Sequence, residues 1–572
     1  MNGSHLLSAR PVLRWLRAVR PERRSLRADV IAGLPGAISS VPNGMASAAL
    51  IGVNPIHGLY ASFAGPVAGG LTTSSQLMVV TTTTAGALAA GSALEGVDAA
   101  DRPQALLLLT VLAGVVMIVA GVARLGRYTR FVSHSVMTGF LTGISVNIVL
   151  SQLPGLTGAD AAGQVALARA VDVVLHPTRI DVSSLLAGLG ALGILIGLSR
   201  TRLAAVSSLV ALVVPTVVLV VAGADDVTLV KDTGQIPRGL PLPQLPDLGQ
   251  LSFPLVTGAL AVAAIVLVQG SGVAEAAPNR DGTTSSANRD FVAQGIGNLA
   301  AGFFRGQPVG GSVGQTALNR TVGGRTRWAA ILSGLWMLVI LVACSSLIGL
   351  VAMPTLAAIL VYAAVKSLKP AELATILRTG PTSQIAVVTT FCATLFLPVS
   401  AAVGIGVSLS LLLQLNQEAL DLKVVQLMPV GGGRWTEHPA PPRLPSHQAT
   451  VLDVYGSLLY AGSRTLRVKL PDTAGAEGPT VVLRLRGRTA VGATFVKVVD
   501  DYAVALTTVG GRLYLSGVDP TLAELLRRAD RLDVSDPVGI FEATELVGES
   551  TEQALREAEA WAVRHRPDSS GQ

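Results

Sequence analysis

The sequence predicts a polytopic α-helical membrane protein that carries a small soluble α/β domain at its C-terminal end. Three observations predict that class. Half of the 572 residues are hydrophobic and only 14% are charged, whereas a soluble domain carries about a quarter charged residues. Residues 105–123 and 329–353 contain no charge, and each is long enough to cross roughly 30 Å of hydrocarbon as a helix. From about residue 418 the texture changes to strand-like alternation interleaved with helical spacing.

The chain opens on a basic head, residues 1–26, with Arg10, Arg14, Arg17, Arg20, Arg23 and Arg24 against Glu22 alone. It lacks the apolar core and small-residue cleavage site of a signal peptide. The expected role is a cytoplasmic segment that orients the first span and touches anionic lipid. Residues 27–417 form the membrane domain. Further apolar spans are predicted over 182–198, 203–223, 253–274 and 385–415, the last split in two by Pro398.

Loop charge supplies topology. Short loops with Arg124, Arg127 and Arg130, with Arg200 and Arg202, with Arg320, Arg325 and Arg327, and with Lys366, Lys369 and Arg378 alternate with loops lacking basic excess, namely 95–102, 154–181 and 224–252. The positive-inside rule places the first set in the cytoplasm. About fourteen segments result, several too short or too broken to cross alone, with both termini cytoplasmic and the cell membrane as the address. Cys344 and Cys392 both fall in apolar spans and read as packing residues.

Residues 429–447 are rich in Pro and Gly, so 418–447 reads as a linker. Residues 448–566 then alternate strands (TVLDVYGSLLY, TVVLRLRG, GRLYLSGV) with helices (PTLAELLRRAD, STEQALREAEAWAVRH), which predicts a small α/β domain before a tail at 567–572.

Two polar breaks interrupt the apolar runs. Residues 308–319, PVGGSVGQTALN, carry three glycines and neutral hydroxyl and amide side chains. Residues 72–84, TTSSQLMVVTTTT, lead into AGALAAGSAL with a similar density of hydroxyls. Irregular backbone at membrane depth is tolerated only where protein or a water-filled cavity satisfies it. A helix starting near Ser312 presents unpaired N–H groups and about half a positive charge to the break. Gly310, Gly311 and Gly314 admit close approach to the backbone. Interrupted segments at corresponding places in two halves point to a transporter's central site. Two such N-termini form an anion site without a cation.

These residues bring a family into view. RADVIAGLPGAISSVPNGMASAALIGVNPIHGLYASFAGPVAGGLTTSSQ (27–76), FVSHSVMTGFLTGISVNIVLSQL (131–153) and RDFVAQGIGNLAAGFFRGQPVGGSVGQTALNRTVGGRTRWA (289–329) resemble the SulP family of sulfate-permease-like anion transporters, followed by a STAS domain. The resemblance implies two inverted repeats of seven segments divided into core and gate domains, elevator-like alternating access, and a homodimer. It places substrate between the starts of the third and tenth segments, near Val80, Thr81 and Thr82 and near Gly311, Ser312, Gly314, Gln315 and Thr316.

Departures from the family pattern concern charge. Where many members have a Gln in a Pro-Gln-Ala run, this chain has Asn43 in Pro42-Asn43-Gly44; where many have a Glu in the eighth segment, it has Gln269; where some animal relatives place an Arg in the tenth, it has Gln315. An intramembrane carboxylate usually marks proton or cation coupling. Gln269 is therefore expected to donate to substrate or local backbone and to carry no coupling proton. In the STAS-like domain, Gly492-Ala493-Thr494-Phe495 stands where the family has its Asp-Ser/Thr-Ser/Thr-Gly element. That predicts a scaffold without the phosphoryl switch.

The expected function is secondary active transport of a small inorganic or organic anion of the sulfate, bicarbonate or dicarboxylate class, with a proton, sodium or counter-anion as coupling ion. Two alternatives remain: a permease for a nucleobase or other neutral solute on the same architecture, and a non-transporting membrane scaffold or sensor. His57, His134 and His176 are scattered and no metal-ligand spacing is present, so no enzyme, cofactor or metal is expected, and no nucleic-acid partner.

Overall fold

The structure, a computed structural model, describes residues 19–565 except 22, 132, 164, 202, 225, 234–241, 432, 489–490 and 529–537. The basic head up to residue 18, Glu22, Arg202, part of the 224–252 loop and the tail 567–572 lie outside the described residues. The described residues form two compact units, divided between Ser410 and Leu411.

The first unit is helical. In chain order it contains α1 (Arg23–Ile51), α2 (Ile56–Thr72), β1 (Val80–Thr82), α3 (Thr84–Ala93), α4 (Arg102–Val122), α5 (His134–Thr157), α6 (Ala166–Leu175), α7 (Val182–Leu198) and α8 (Ser207–Ala222). A second series follows: α9 (Phe253–Ala276), α10 (Ala287–Phe303), β2 (Val309–Gly311), α11 (Val313–Thr321), α12 (Arg327–Ala343), α13 (Met353–Ser367), α14 (Pro370–Thr379), α15 (Pro381–Phe396) and α16 (Val399–Leu420), whose residues from Leu411 on fall in the second unit. Among the described residues four stretches, Arg102–Val122, His134–Thr157, Ala204–Ala222 and Phe253–Ala276, are long and apolar enough to cross a membrane as single helices. Val217, Val218 and Val221 on α8 and Leu186 and Leu189 on α7 are exposed, as lipid-facing side chains must be.

The two series repeat one another. In each, a helix precedes a three-residue strand that runs into a short helix: α2–β1–α3 and α10–β2–α11. The packing repeats too. α4 lies against α10 as α12 lies against α2, α9 against α4 as α1 against α12, and α15 against α5 as α7 against α13. Small residues permit the tightest of these contacts. A Cβ on Gly114 of α4 would stand 2.8 Å from the carbonyl oxygen of Gly295 on α10, the close approach that glycine alone allows. The result is one group built from α1–α4 with α9–α12, and a second from α5, α7 and α8 with α13 and α15.

One predicted span is corrected. Residues 329–353 do not form a single helix: α12 ends at Ala343, a single turn follows at Ser345–Ile348, and α13 begins at Met353. The intervening backbone pairs with the loop after α8, through Val230 N–H to Val351 O (2.9 Å), Lys231 N–H to Gly349 O (3.0 Å) and Met353 N–H to Thr228 O (3.0 Å). Hydropathy misses the break because it is uncharged; Ser345, Ser346, Gly349 and Pro354 mark it.

The second unit holds a six-stranded sheet of order β4-β3-β5-β6-β7-β8, formed by β3 (Lys423–Gly431), β4 (Arg434–Pro439), β5 (Ala449–Tyr455), β6 (Thr480–Arg484), β7 (Arg512–Val518) and β8 (Val538–Glu542). β5 to β8 are parallel and the β3–β4 hairpin is antiparallel. One face packs on α17 (Tyr460–Lys469), α18 (Ala493–Thr508) and α19 (Pro520–Arg528) through Leu466, Phe495 and Leu522. The other packs on α20 (Glu549–Arg564) through Tyr514, Ala554 and Ala558.

The segment 418–447, read as a linker, instead supplies this hairpin. Lys423–Leu427 pair with β5, and Pro429 lies past that pairing beside a register shift. Proline is tolerated there because no third strand needs its N–H.

Candidate functional site

The site is assembled by α10. Its residues Asp290, Gln294 and Asn298 recur every fourth position and so share one face, and all three are buried. Three buried polar side chains in a row require partners, and the two breaks provide them.

Asp290 accepts five hydrogen bonds from the turn that precedes β1: Thr73 Oγ1 (2.8 Å), Ser74 N–H (2.7 Å), Ser74 Oγ (2.8 Å), Ser75 N–H (3.2 Å) and Ser75 Oγ (2.6 Å). Gln294 Oε1 accepts the Gly311 N–H at 3.0 Å. Asn298 takes both backbone groups of Val309, its Nδ2 donating to the carbonyl at 2.7 Å and its Oδ1 accepting the N–H at 3.0 Å. Asn279 adds a clamp outside the ladder, accepting the Gln76 N–H at 2.8 Å and donating to Ser74 O at 3.0 Å.

Held this way, the two breaks meet. β1 and β2 form an antiparallel ribbon with Val80 opposite Gly311, Thr81 opposite Gly310 and Thr82 opposite Val309. Each strand runs directly into a helix, so α3 and α11 both begin at the ribbon, from opposite ends of it. Thr83 caps α3, its Oγ1 accepting the Gly86 N–H at 3.2 Å. Ser312 caps α11, its Oγ accepting the Gln315 N–H at 3.4 Å. With about 3.4 Å per strand residue, the two N-termini lie on the order of 10 Å apart. Both positive helix ends are thereby brought to one locus.

The predicted residues divide by what they touch. Thr81 is buried with its hydroxyl unpartnered. Directly paired residues face the same side of a ribbon, and a Cβ on Gly310 would meet Val266 of α9, so Thr81 also faces α9. Gln269, on α9, donates to Gly311 O at 3.4 Å, while its Oε1 is buried and unpartnered. Asn43 Nδ2 and Gln315 Nε2 both donate to Ser39 Oγ, at 3.3 and 3.2 Å. Ser39 thus joins α1 to the start of α11. Around Gly314 a Cβ would meet nothing, which leaves open space beside the α11 N-terminus.

Other predicted residues are occupied by structure. The Val80 side chain packs where Cβ atoms on Gly69 and Gly297 would stand, turned from Thr81, so only its backbone reaches the ribbon's other face. Thr316 Oγ1 accepts the Val79 N–H at 3.1 Å and fastens α11 to the segment before β1. Thr82 is buried. Gly311 is tightly enclosed, with Gly270 Cα 3.0 Å and Met78 Sδ 2.9 Å from where a Cβ would stand.

Sequence reasoning missed Ser39 and assigned no role to Asp290, Gln294 or Asn298. The available signal was the four-residue recurrence of polar side chains in a helix otherwise made of small and apolar residues. Asp290 is the one carboxylate in this hydrogen-bonded set, and both its oxygens are engaged by residues 73–75. On the connecting loop, Asp281 lies lower than an ordinary carboxyl, chiefly because the Thr283 hydroxyl and then its amide donate to it. Among the described residues no group of three His, Cys, Asp or Glu is placed to hold a metal ion.

The comparisons agree with this architecture. A probable sulfate transporter of Mycobacterium tuberculosis is 28% identical over 522 residues, covering 90% of this chain and 93% of its own. Human solute carrier family 26 member 6 is 27% identical over 439 residues, covering 71% of this chain and 57% of its own. The structure of murine Slc26a9, an anion transporter in the inward-facing state, superposes with a TM-score of 0.82 at 18% identity, covering 98% of this chain and 96% of that one. The transmembrane domain of the cyanobacterial bicarbonate transporter BicA superposes with a TM-score of 0.59 at 21% identity, covering 67% of this chain and 99% of that one. The last two show a shared fold. The sequence profile of the sulfate permease family matches residues 26–391, and the chain belongs to that family of membrane transporters.

Proposed function

We propose that the protein is a secondary active transporter that carries a small anion of the sulfate, bicarbonate or dicarboxylate class across the cell membrane. One observation supports this most: the β1–β2 ribbon gathers two helix N-termini, the Thr81 and Ser312 hydroxyls and the amides of Gln269 and Gln315 in one place. Each N-terminus contributes roughly 0.3–2 kcal/mol toward an anion, and a hydrogen bond to a charged group roughly 1.5–3 kcal/mol. Two of each give on the order of 4–10 kcal/mol, or a Kd from about millimolar to below micromolar. The weaker part of that range suits a cargo that must be released.

Transport proceeds by an elevator movement in which α1–α4 and α9–α12 travel together against α5, α7, α8, α13 and α15. The α10 ladder supports this reading, since it ties both half-sites to one rigid helix. Gln269 carries no coupling proton; the coupling ion is sodium or a counter-anion. About fourteen segments and the alternation of basic loops support cytoplasmic termini, and the transporter works as a homodimer.

The test is uptake into proteoliposomes containing the full-length protein, with labelled sulfate, bicarbonate, succinate, chloride and uracil. Saturable flux of at least one anion, none of uracil, supports the reading. Flux of uracil alone, or of nothing, refutes it.

A further inference from the structure

A second cavity lies at the far end of α10 from Asp290. It has a volume of about 170 Å³ and is lined by His57, Tyr60, Gln104, Leu107, Gln244 and Arg305, among others. α4 begins beside it and ends at the loop of Arg124, so the cavity lies at the end of α4 away from that basic loop.

Three features of this cavity point to a ligand. Arg305 is exposed, and among the described residues it forms no ion pair and no Asp or Glu lines the cavity. Its backbone is left-handed, at φ 61°, an uncommon conformation for a residue with a side chain. The Arg305 carbonyl lies 2.6 Å from His57 Nδ1; a carbonyl only accepts, so Nδ1 carries the proton and Nε2 is the ring's other polar atom. Gln104 keeps a buried amide oxygen without a partner, a group that proteins seldom leave unmet.

We propose that this cavity is a second anion site, which takes a small oxyanion and is separate from the β1–β2 ribbon. Arg305 supplies the charge and a planar fork that matches an oxyanion. Gln104, whose amide ends exchange by a half-turn, serves as donor to a fully ionised oxyanion or acceptor to one that retains an O–H. Phe304–Pro308 then connect the site to β2. That segment is held at Gly306, whose N–H donates to Ala301 O (2.6 Å) and whose carbonyl accepts from Thr110 Oγ1 (3.2 Å), and at Gln307, which donates to Ser47 Oγ (2.7 Å).

Equilibrium dialysis of detergent-purified full-length protein with labelled sulfate and labelled bicarbonate tests this. The wild type binds two equivalents of at least one of them per chain. Arg305→Asn, in which the new residue tolerates left-handed backbone, loses one equivalent or weakens it at least tenfold; Arg305→Lys keeps part of the affinity. Gln104→Leu weakens the same equivalent and serves as the reading if Arg305→Asn does not fold. Gly314→Leu removes the other equivalent only. If Gly314→Leu removes nothing while Arg305→Asn removes one, the ribbon reading fails and this one stands. Stoichiometry and affinity unchanged in Arg305→Asn and Gln104→Leu overturn the proposal.

Discussion

Asn298 binds Val309 as a neighbouring strand would, donating to its carbonyl at 2.7 Å and accepting its N–H at 3.0 Å. A side chain thus replaces the missing sheet partner of a buried two-stranded ribbon. Asn298→Ala leaves a buried N–H and a buried C=O unpaired, at roughly 1–3 kcal/mol each. The expected outcome is a loss of about 2–6 kcal/mol, read as a lower Tm of the detergent-solubilised protein, together with weaker anion uptake. Unchanged Tm and uptake in Asn298→Ala would show that α10 does not support the ribbon.

Gly314 and Gly311 are expected to respond differently to the same substitution. A Cβ at Gly314 meets nothing, whereas one at Gly311 stands 3.0 Å from Gly270 Cα. Gly314→Ala should stabilise α11 by about 0.4–1 kcal/mol. Gly314→Leu should fold normally yet lower anion affinity at least tenfold, by filling the space before the helix N-terminus. Gly311→Leu should fail to fold, because the Gly270 backbone, and not only the flexible Met78 side chain, opposes it. Thermal melts and binding isotherms of the three variants check the ranking.

Gln269→Glu places a carboxylate beside Gly311 O. Two like charges about 4 Å apart at an effective dielectric near 20 repel by about 4 kcal/mol, so the variant's uptake at pH 7.5 should fall at least tenfold. Protonation removes the charge, so uptake by the variant should recover as the pH is lowered through the introduced group's pKa. Wild-type uptake should show no such step. A wild type that needs a proton gradient, with Gln269→Glu indistinguishable from it, contradicts the uncharged site.

In the C-terminal unit, burial pushes the Tyr502 phenol up and the Asp472 carboxylate adds to the effect; its hydroxyl donates to Pro471 O at 2.9 Å. The folded form holds this proton more tightly than the unfolded form does. Its contribution is therefore constant below the ordinary phenol value, about 10, and is lost as the pH rises above it. Stability against urea should fall more steeply above pH 10 in the wild type than in Tyr502→Phe. Parallel curves for the two proteins would exclude this role.

Much of the fold was legible because two signals are physically strong. Uncharged runs such as 105–123 announce spanning helices, and hydroxyl- and glycine-rich breaks stand out against them. The start of α11 could be set at Ser312 because a hydroxyl there caps the helix. Pairing of Val80 with Gly311 could be expected only from the symmetry of two breaks; no local residue pattern specifies it. Less legible was what holds the breaks. Asp290, Gln294 and Asn298 bond to residues distant in sequence, and nothing local reveals their partners. The hairpin at 423–439 was hidden by Pro429 and Gly431, which read as linker chemistry but here sit beyond the β5 pairing. The break after Ala343 was hidden for the opposite reason, since its loop is as apolar as the helices beside it.

The most direct measurement is an anomalous-diffraction map of the full-length protein soaked in selenate or bromide. An anomalous peak is expected between the first turns of α3 and α11, within about 3.5 Å of polar atoms of residues 311–315 and remote from every Lys and Arg. Saturating anion that leaves this place empty, or a peak there held by a cationic side chain, would contradict it.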